Sequence, residues 1–232
     1  MTSTTEENAD LAAEITALRE ELTALADPRA LEVNRRRGDY HAVNLGKLRA
    51  IAKRLKARPD LARELWAEGG TAARLLAILL LRPSHCALEE LDAMLREAGT
   101  PKVHDWLVNY LALKGPHREQ LRERWFADPD PVIASAGWAL TSDRVVKSPE
   151  GIDQSALLDR IEAEMTDAPE RLQWAMNTCL AQIGITNPAL RARARDIGER
   201  LGVLRDYPTP PNCTSPFAPI WIDEMVRRAG TR

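Results

Sequence analysis

The sequence predicts an all-α chain: an α-solenoid, in which antiparallel helix pairs stack side by side into a superhelix. Three observations predict it. Apolar residues recur at spacings of three and four along most of the chain. Short Gly and Pro breakers punctuate these runs. No stretch alternates apolar and polar residues with period two, so no strand is predicted.

The elements follow in order. Residues 1–7 are polar and acidic and are read as disordered. Leu11, Ile15, Leu18, Leu22 and Leu25 form a one-sided amphipathic seam, read as an N-terminal docking helix. Asp27-Pro28 ends it, because proline disfavours helical backbone in the residue before it. Gly46–Ala57 carries Leu48, Ile51 and Leu55 on one face, and Pro59 restarts the chain into Leu61, Leu65 and Trp66. Thr71–Leu81, after Gly69-Gly70, is the most apolar segment and is predicted to be a buried inner helix. Further helices are predicted around Leu88–Leu95, Val103–Leu111, Leu121–Phe126, Pro131–Arg144, Gln154–Met165, Pro169–Ile185 and Pro188–Leu201. Proline at a first helical turn costs little, since that N–H has no intrahelical partner.

The irregular period of these pairs, roughly 30–40 residues, fits HEAT-like repeats better than a four-helix bundle. Residues 8–205 are therefore assigned to a single HEAT-like repeat domain that includes the docking helix. Residues 206–232 are assigned to a Pro-rich segment and a C-terminal helix capping the stack, the helix starting near Pro219.

Composition narrows the function classes. A net charge of −2 over 232 residues excludes a uniformly basic nucleic-acid binder but not a local basic face. Cys86, Cys179 and Cys213 lie far apart, without metal-ligand spacing, which predicts a reducing, cytoplasmic setting and no metal or cofactor. The N-terminus lacks the pattern of a signal peptide, and no apolar run is long enough to span a bilayer. A monomer without membrane contact is expected.

Charge is concentrated in one place. Asn34–Arg58 holds nine cations, among them Arg35, Arg36, Arg37, Lys47, Arg49 and Lys53, against the single acid Asp39. This is either a solvated helix face or a patch that contacts phosphates, since Lys and Arg supply the sequence-independent part of DNA affinity. Six tryptophans stand against two phenylalanines. Trp66, Trp125 and Trp138 read as core. Trp106 and Trp174 have polar neighbours, and there an aromatic face can stack on a base or a sugar. Asp105 and Asn109, four residues apart, share one helix face. They are either an ordinary wet pair or a carboxylate and amide placed to stabilise a developing cation and hold a water. His41, His85, His104 and His117 are isolated, and no nucleophile–histidine arrangement or phosphate-binding glycine loop is present.

Several segments together resemble the DNA alkylation repair family, the HEAT-like DNA glycosylases. Tyr40-His41-Ala42-Val43-Asn44-Leu45-Gly46-Lys47-Leu48-Arg49-Ala50-Ile51-Ala52-Lys53 is similar to that family's opening motif. Leu65-Trp66 with Glu68–Leu81 resembles its next helix pair, and Leu172–Asn177 with Thr186-Asn187-Pro188 resembles a late helix. The similarity covers roughly residues 34–205. It implies a superhelix around a basic concave groove that binds damaged double-stranded DNA. It implies a glycosylase hydrolysing the N-glycosidic bond of N3- or N7-alkylated purines, such as 3-methyladenine and 7-methylguanine. By the same resemblance, Asp105 or Asn109 falls near the catalytic position, Trp106, Tyr110 and Trp174 contact the substrate, and Arg35, Arg36, Arg37, Lys47, Arg49 and Lys53 contact the DNA backbone. One departure bears on activity. Where the family carries Trp-Asp-x-x-Asp, this chain reads Asp105-Trp106-Leu107-Val108-Asn109-Tyr110, so no aspartate stands at the catalytic position in either register. The sequence leaves open whether the chain is an enzyme, a non-catalytic DNA-binding relative or a HEAT-like protein-interaction scaffold.

Overall fold

A computed structural model describes residues 2–230, with side chains from residue 9 onward. Thirteen α-helices make up the described chain, and the sole β pairing among described residues is an isolated antiparallel bridge between Ala26 and Val43. The chain divides into two compact units, Met1–Arg118 and Glu119–Arg232. Each unit forms its core around one central helix.

In the first unit that helix is α5 (Thr71–Leu80), whose Leu75, Leu76, Ala77, Ile78 and Leu80 are all buried. The apolar run predicted this. Around α5 pack α1 (Thr2–Ala24), α3 (Leu45–Leu55), α4 (Pro59–Ala67) and α7 (Pro101–Trp106). Helix α1 starts at Thr2, so the helical backbone extends through residues 2–7, which the sequence reading left without structure; Met1 lies outside the described residues. Once the Ile15, Leu18 and Leu22 seam nucleates a helix, each further residue costs little to add, even where propensity is modest. Helix α2 (Pro28–Arg35) has no buried residue and escaped the apolar periodicity; it is specified by its start, where Asp27 caps the Arg29 amide and Pro28 opens the first turn. Asn44 caps α3 in the same way, through Gly46 at 2.8 Å. Helix α6 (Leu88–Glu97) turns Leu91, Met94 and Leu95 inward.

In the second unit the central helix is α11 (Glu170–Thr186), against which α9 (Pro131–Lys147), α10 (Gln154–Glu164), α12 (Arg191–Leu201) and α13 (Ala218–Gly230) pack. Helix α8 (Arg118–Phe126) contributes Trp125, which is fully buried, as is Trp138 of α9. These two tryptophans are core, as their leucine- and alanine-rich surroundings predicted. Helices α8 and α9 approach closely because position 137 is glycine: a Cβ there would overlap the backbone of Trp125 and Phe126. The same device seats the last helix. A Cβ at Gly184 would overlap Ile222, and one at Gly198 would lie 2.7 Å from Pro219. Buried Asn177 donates its side-chain amide to the Pro216 carbonyl at 2.8 Å, tying the Pro-rich segment down.

Candidate nucleic-acid interface

The nine cations of Asn34–Arg58 fall into two groups. Arg36, Arg54 and Arg58 are spent on carboxylates within the unit. Arg36 pairs with Glu32 at 2.6 Å, Arg54 with Glu21 at 2.5 Å, and Arg58 with both Asp60 and Glu14. Arg35, Arg37, Lys47, Arg49, Lys53 and Lys56 have no carboxylate partner among the described residues, and all six are exposed. The predicted backbone-contacting residue Arg36 therefore differs from its neighbours, being paired with Glu32 four residues earlier. The sequence pattern shows why. Acids at 14, 21 and 32 belong to α1 and α2, and only their helical placement brings them against particular arginines of the cluster.

Helix α3 carries Arg49 to the segment singled out for its chemistry. The Arg49 guanidinium lies 4.9 Å from the centre of the Trp106 ring and donates to the Tyr110 hydroxyl at 3.3 Å. Trp106 and Tyr110 pack at 5.2 Å between ring centres, and Lys114 sits 5.0 Å over the Tyr110 ring. An arginine over an electron-rich ring is attracted by its quadrupole. Trp106 is 7 % exposed, so this cluster presents mainly Arg49, Tyr110 and Lys114 to solvent. Of the predicted residues, Arg49, Trp106 and Tyr110 thus meet. Lys114 was missed, although its position four residues after Tyr110 was a usable signal.

The backbone here is unusual. After α7 the chain runs through a π-helical turn, Leu107–Leu111, and then a 3₁₀ turn, Ala112–Lys114. Such π turns within helices recur at functional sites. Leu107, Val108 and Leu111 are buried in it, while Asn109 is exposed and Tyr110 half-buried. The Asn109 side-chain amide donates to the Asp105 carbonyl at 2.8 Å. Asn109 is therefore engaged with its own backbone, in a role that needs a donor. The Asp105 carboxylate is half-exposed and lies 3.4 Å from Nδ1 of buried His104. Among the described residues, no group of three or more His, Cys, Asp or Glu is placed to hold a metal ion.

Trp174 lies on α11 in the second unit, where its ring meets that of Tyr207 edge-on at 5.0 Å. Tyr207 belongs to the Pro-rich segment and is 45 % exposed. No periodicity in the sequence announced it. The neighbouring Arg205 stacks over Phe217 and reaches the Glu199 carboxylate at 3.0 Å, which fixes the segment beside α12.

No helix of the described residues is long and apolar enough to cross a membrane. No curated protein matches the chain. Among solved structures, the chain is similar to a protein from a family related to the HEAT-like repeat DNA glycosylases with affinity for branched DNA structures. The two share 22 % identity and a TM-score of 0.75, over 93 % of this chain and 94 % of that one, which establishes a HEAT-like repeat fold. Residues 18–200 match the sequence profile described as DNA alkylation repair enzyme, and the chain belongs to that family.

Proposed function

We propose that this protein binds duplex DNA through the first unit and does not excise a base. The observation that carries the reading is the division of its cations. Six basic side chains between residues 35 and 56 stay exposed and without carboxylate partners among the described residues, although the chain as a whole is slightly acidic. Phosphate contacts need such uncommitted charges, because an internal ion pair must be broken before its arginine can serve a phosphate. Arg49 joins this basic set to the Trp106–Tyr110 pair, giving an aromatic surface beside the cations on which a sugar or base can rest. The affinity for branched DNA described for the related family supports the same reading.

The absence of excision rests on Asn109. A glycosylase of this kind stabilises an oxocarbenium-like sugar with a fixed negative charge. Asn109 supplies no charge, and its amide is turned to the Asp105 carbonyl. Asp105 itself lies beside His104 and carries the alternative, a displaced catalytic carboxylate.

Two measurements on one sample test the proposal: binding to a duplex containing N7-methylguanine, and release of that base under saturating protein. Binding without release is expected. Release abolished by Asp105→Asn overturns the non-catalytic reading in favour of a displaced carboxylate. No binding at low salt overturns the DNA reading and leaves a protein-interaction scaffold.

A further inference from the structure

A cleft of about 410 Å³ lies in the first unit between α2, the segment 38–45 and the start of α7. Three cations line it, Arg29, Arg37 and Lys102, and none has a carboxylate partner among the described residues. The two acids that line it are engaged with the backbone. Asp27 accepts from the Arg29 amide at 2.9 Å, and Asp39, which is buried, accepts from the Lys102 amide at 2.7 Å. Their lone pairs are thus partly used, while the cationic side chains keep all their donors.

His41 adds a further polar group. It is 4 % exposed and lines the cleft. Its Nδ1 lies 3.0 Å from the Val43 carbonyl oxygen. The Asn34 side-chain nitrogen lies 3.4 Å from the same Nδ1 and donates to the His41 carbonyl oxygen at 2.9 Å, so Asn34 and Val43 together hold the ring at the cleft wall. No partner for Nε2 exists among the described residues. Three cations without carboxylate partners around one cleft fit an oxyanion ligand. A phosphate monoester, mostly dianionic at neutral pH, offers three strongly accepting oxygens to these cations. The cleft volume falls within the range of small-molecule sites and exceeds what a bare phosphate fills.

We propose that this cleft binds the phosphate group of a nucleotide, either free or at the 5′ end of a DNA strand. Lys102 lies one helical turn before Trp106, so a strand end held in the cleft sits beside the Arg49–Trp106–Tyr110 cluster. The site nevertheless stands on its own geometry and does not require duplex binding.

The test is a titration of the full-length chain followed by NMR, with deoxyadenosine 5′-monophosphate, deoxyadenosine and inorganic phosphate as probes. The nucleotide is expected to give saturable shifts at His41 and Lys102, with the nucleoside binding roughly tenfold more weakly or worse, since it lacks the charged hydrogen bonds. Arg37→Gln combined with Lys102→Gln is expected to remove that preference. Both side chains lack internal partners, so the fold is unaffected, and an unchanged spectrum elsewhere verifies this. Equal shifts from nucleotide and nucleoside, or a preference that survives the double substitution, overturn the proposal. A second arm compares duplexes whose overhang ends in a 5′-phosphate or a 5′-hydroxyl. A phosphate-dependent gain identifies the strand end as the source, and its absence beside a positive titration identifies the free nucleotide. If duplex DNA does not bind at all, the proposed function fails while the titration still reads the cleft.

Discussion

Exchanging charges that are committed and charges that are not should affect DNA binding differently, although both exchanges remove two cations from the same short segment. In one variant Lys47→Gln and Lys53→Gln remove exposed charges without carboxylate partners. In the other, Arg36→Gln and Arg54→Gln remove charges already paired with Glu32 and Glu21. The logarithm of affinity falls against the logarithm of salt with a slope of about −0.9 per phosphate contact. Losing two contacts therefore flattens the slope by about 2, and a rise from about 50 to about 200 mM salt costs that variant roughly tenfold less affinity than it costs the wild type. The paired variant should keep a slope close to the wild type, and its freed Glu32 and Glu21 should lower affinity uniformly. Fluorescence anisotropy of a labelled duplex across a salt series measures both. Equal flattening by the two variants would refute the reasoning that internal pairing decides which cations reach phosphates.

The remaining predictions concern the scaffold and the site. Gly137→Ala should destabilise by about 3 kcal/mol or more, because overlap with the Trp125–Phe126 backbone outweighs the gain of about 1 kcal/mol in helix propensity; a raised unfolding temperature would show that α8 and α9 are less closely set. Asp39→Ala should cost about 1–3 kcal/mol in urea unfolding by leaving the Lys102 amide without its buried acceptor. Asn109→Ala should cost only about 1 kcal/mol and leave base release at background, since the hydrogen bond lost is exposed. A thiol reagent should label Cys213 in the native protein and reach Cys86 and Cys179 only on unfolding, because burial pushes their thiols up to about 11 and about 12. The Glu224 carboxyl, held down to about 2 by hydrogen bonds from Arg227 and Arg228, should titrate by NMR well below its ordinary value near 4.5. Its folded-state value is depressed, so its contribution to stability is present above about pH 4.5 and is lost as pH falls toward 2. A midpoint near 4.5 would mean that these arginines do not hold it.

The sequence was most informative where burial repeats along a helix. The run Thr71–Leu80 reads as an inner helix, because Arg74 is its single charged residue among otherwise mostly apolar positions. Trp125 and Trp138 declared themselves core by the same reasoning. Helix α2 is not legible from periodicity, because a helix without a buried residue leaves no apolar period; the Asp27-Pro28 pair that ends α1 is also its start signal. The division into two units was equally hidden, since α5 and α11 organise their cores through contacts between helices distant in sequence. At the site, the basic cluster was visible as composition, but its division into paired and unpaired cations was not. Arg54 and Glu21 are 33 residues apart and meet only in the folded unit. The Asp105–Asn109 relation was read as two side chains on one face. In the structure it is a side chain bonded to a backbone carbonyl, a local contact that four-residue spacing alone does not distinguish from two exposed side chains.

In the proposed binding mode, DNA rests on α3 and on the turn after α7. Amide hydrogen exchange of the full-length chain, with and without a saturating duplex at low salt, measures this directly. Slowed exchange is expected in Leu45–Leu55 and Leu107–Leu111, with the same duplex recovered intact and its N7-methylguanine retained. Slowed exchange confined to other helices, or a duplex recovered with the base released, would contradict it.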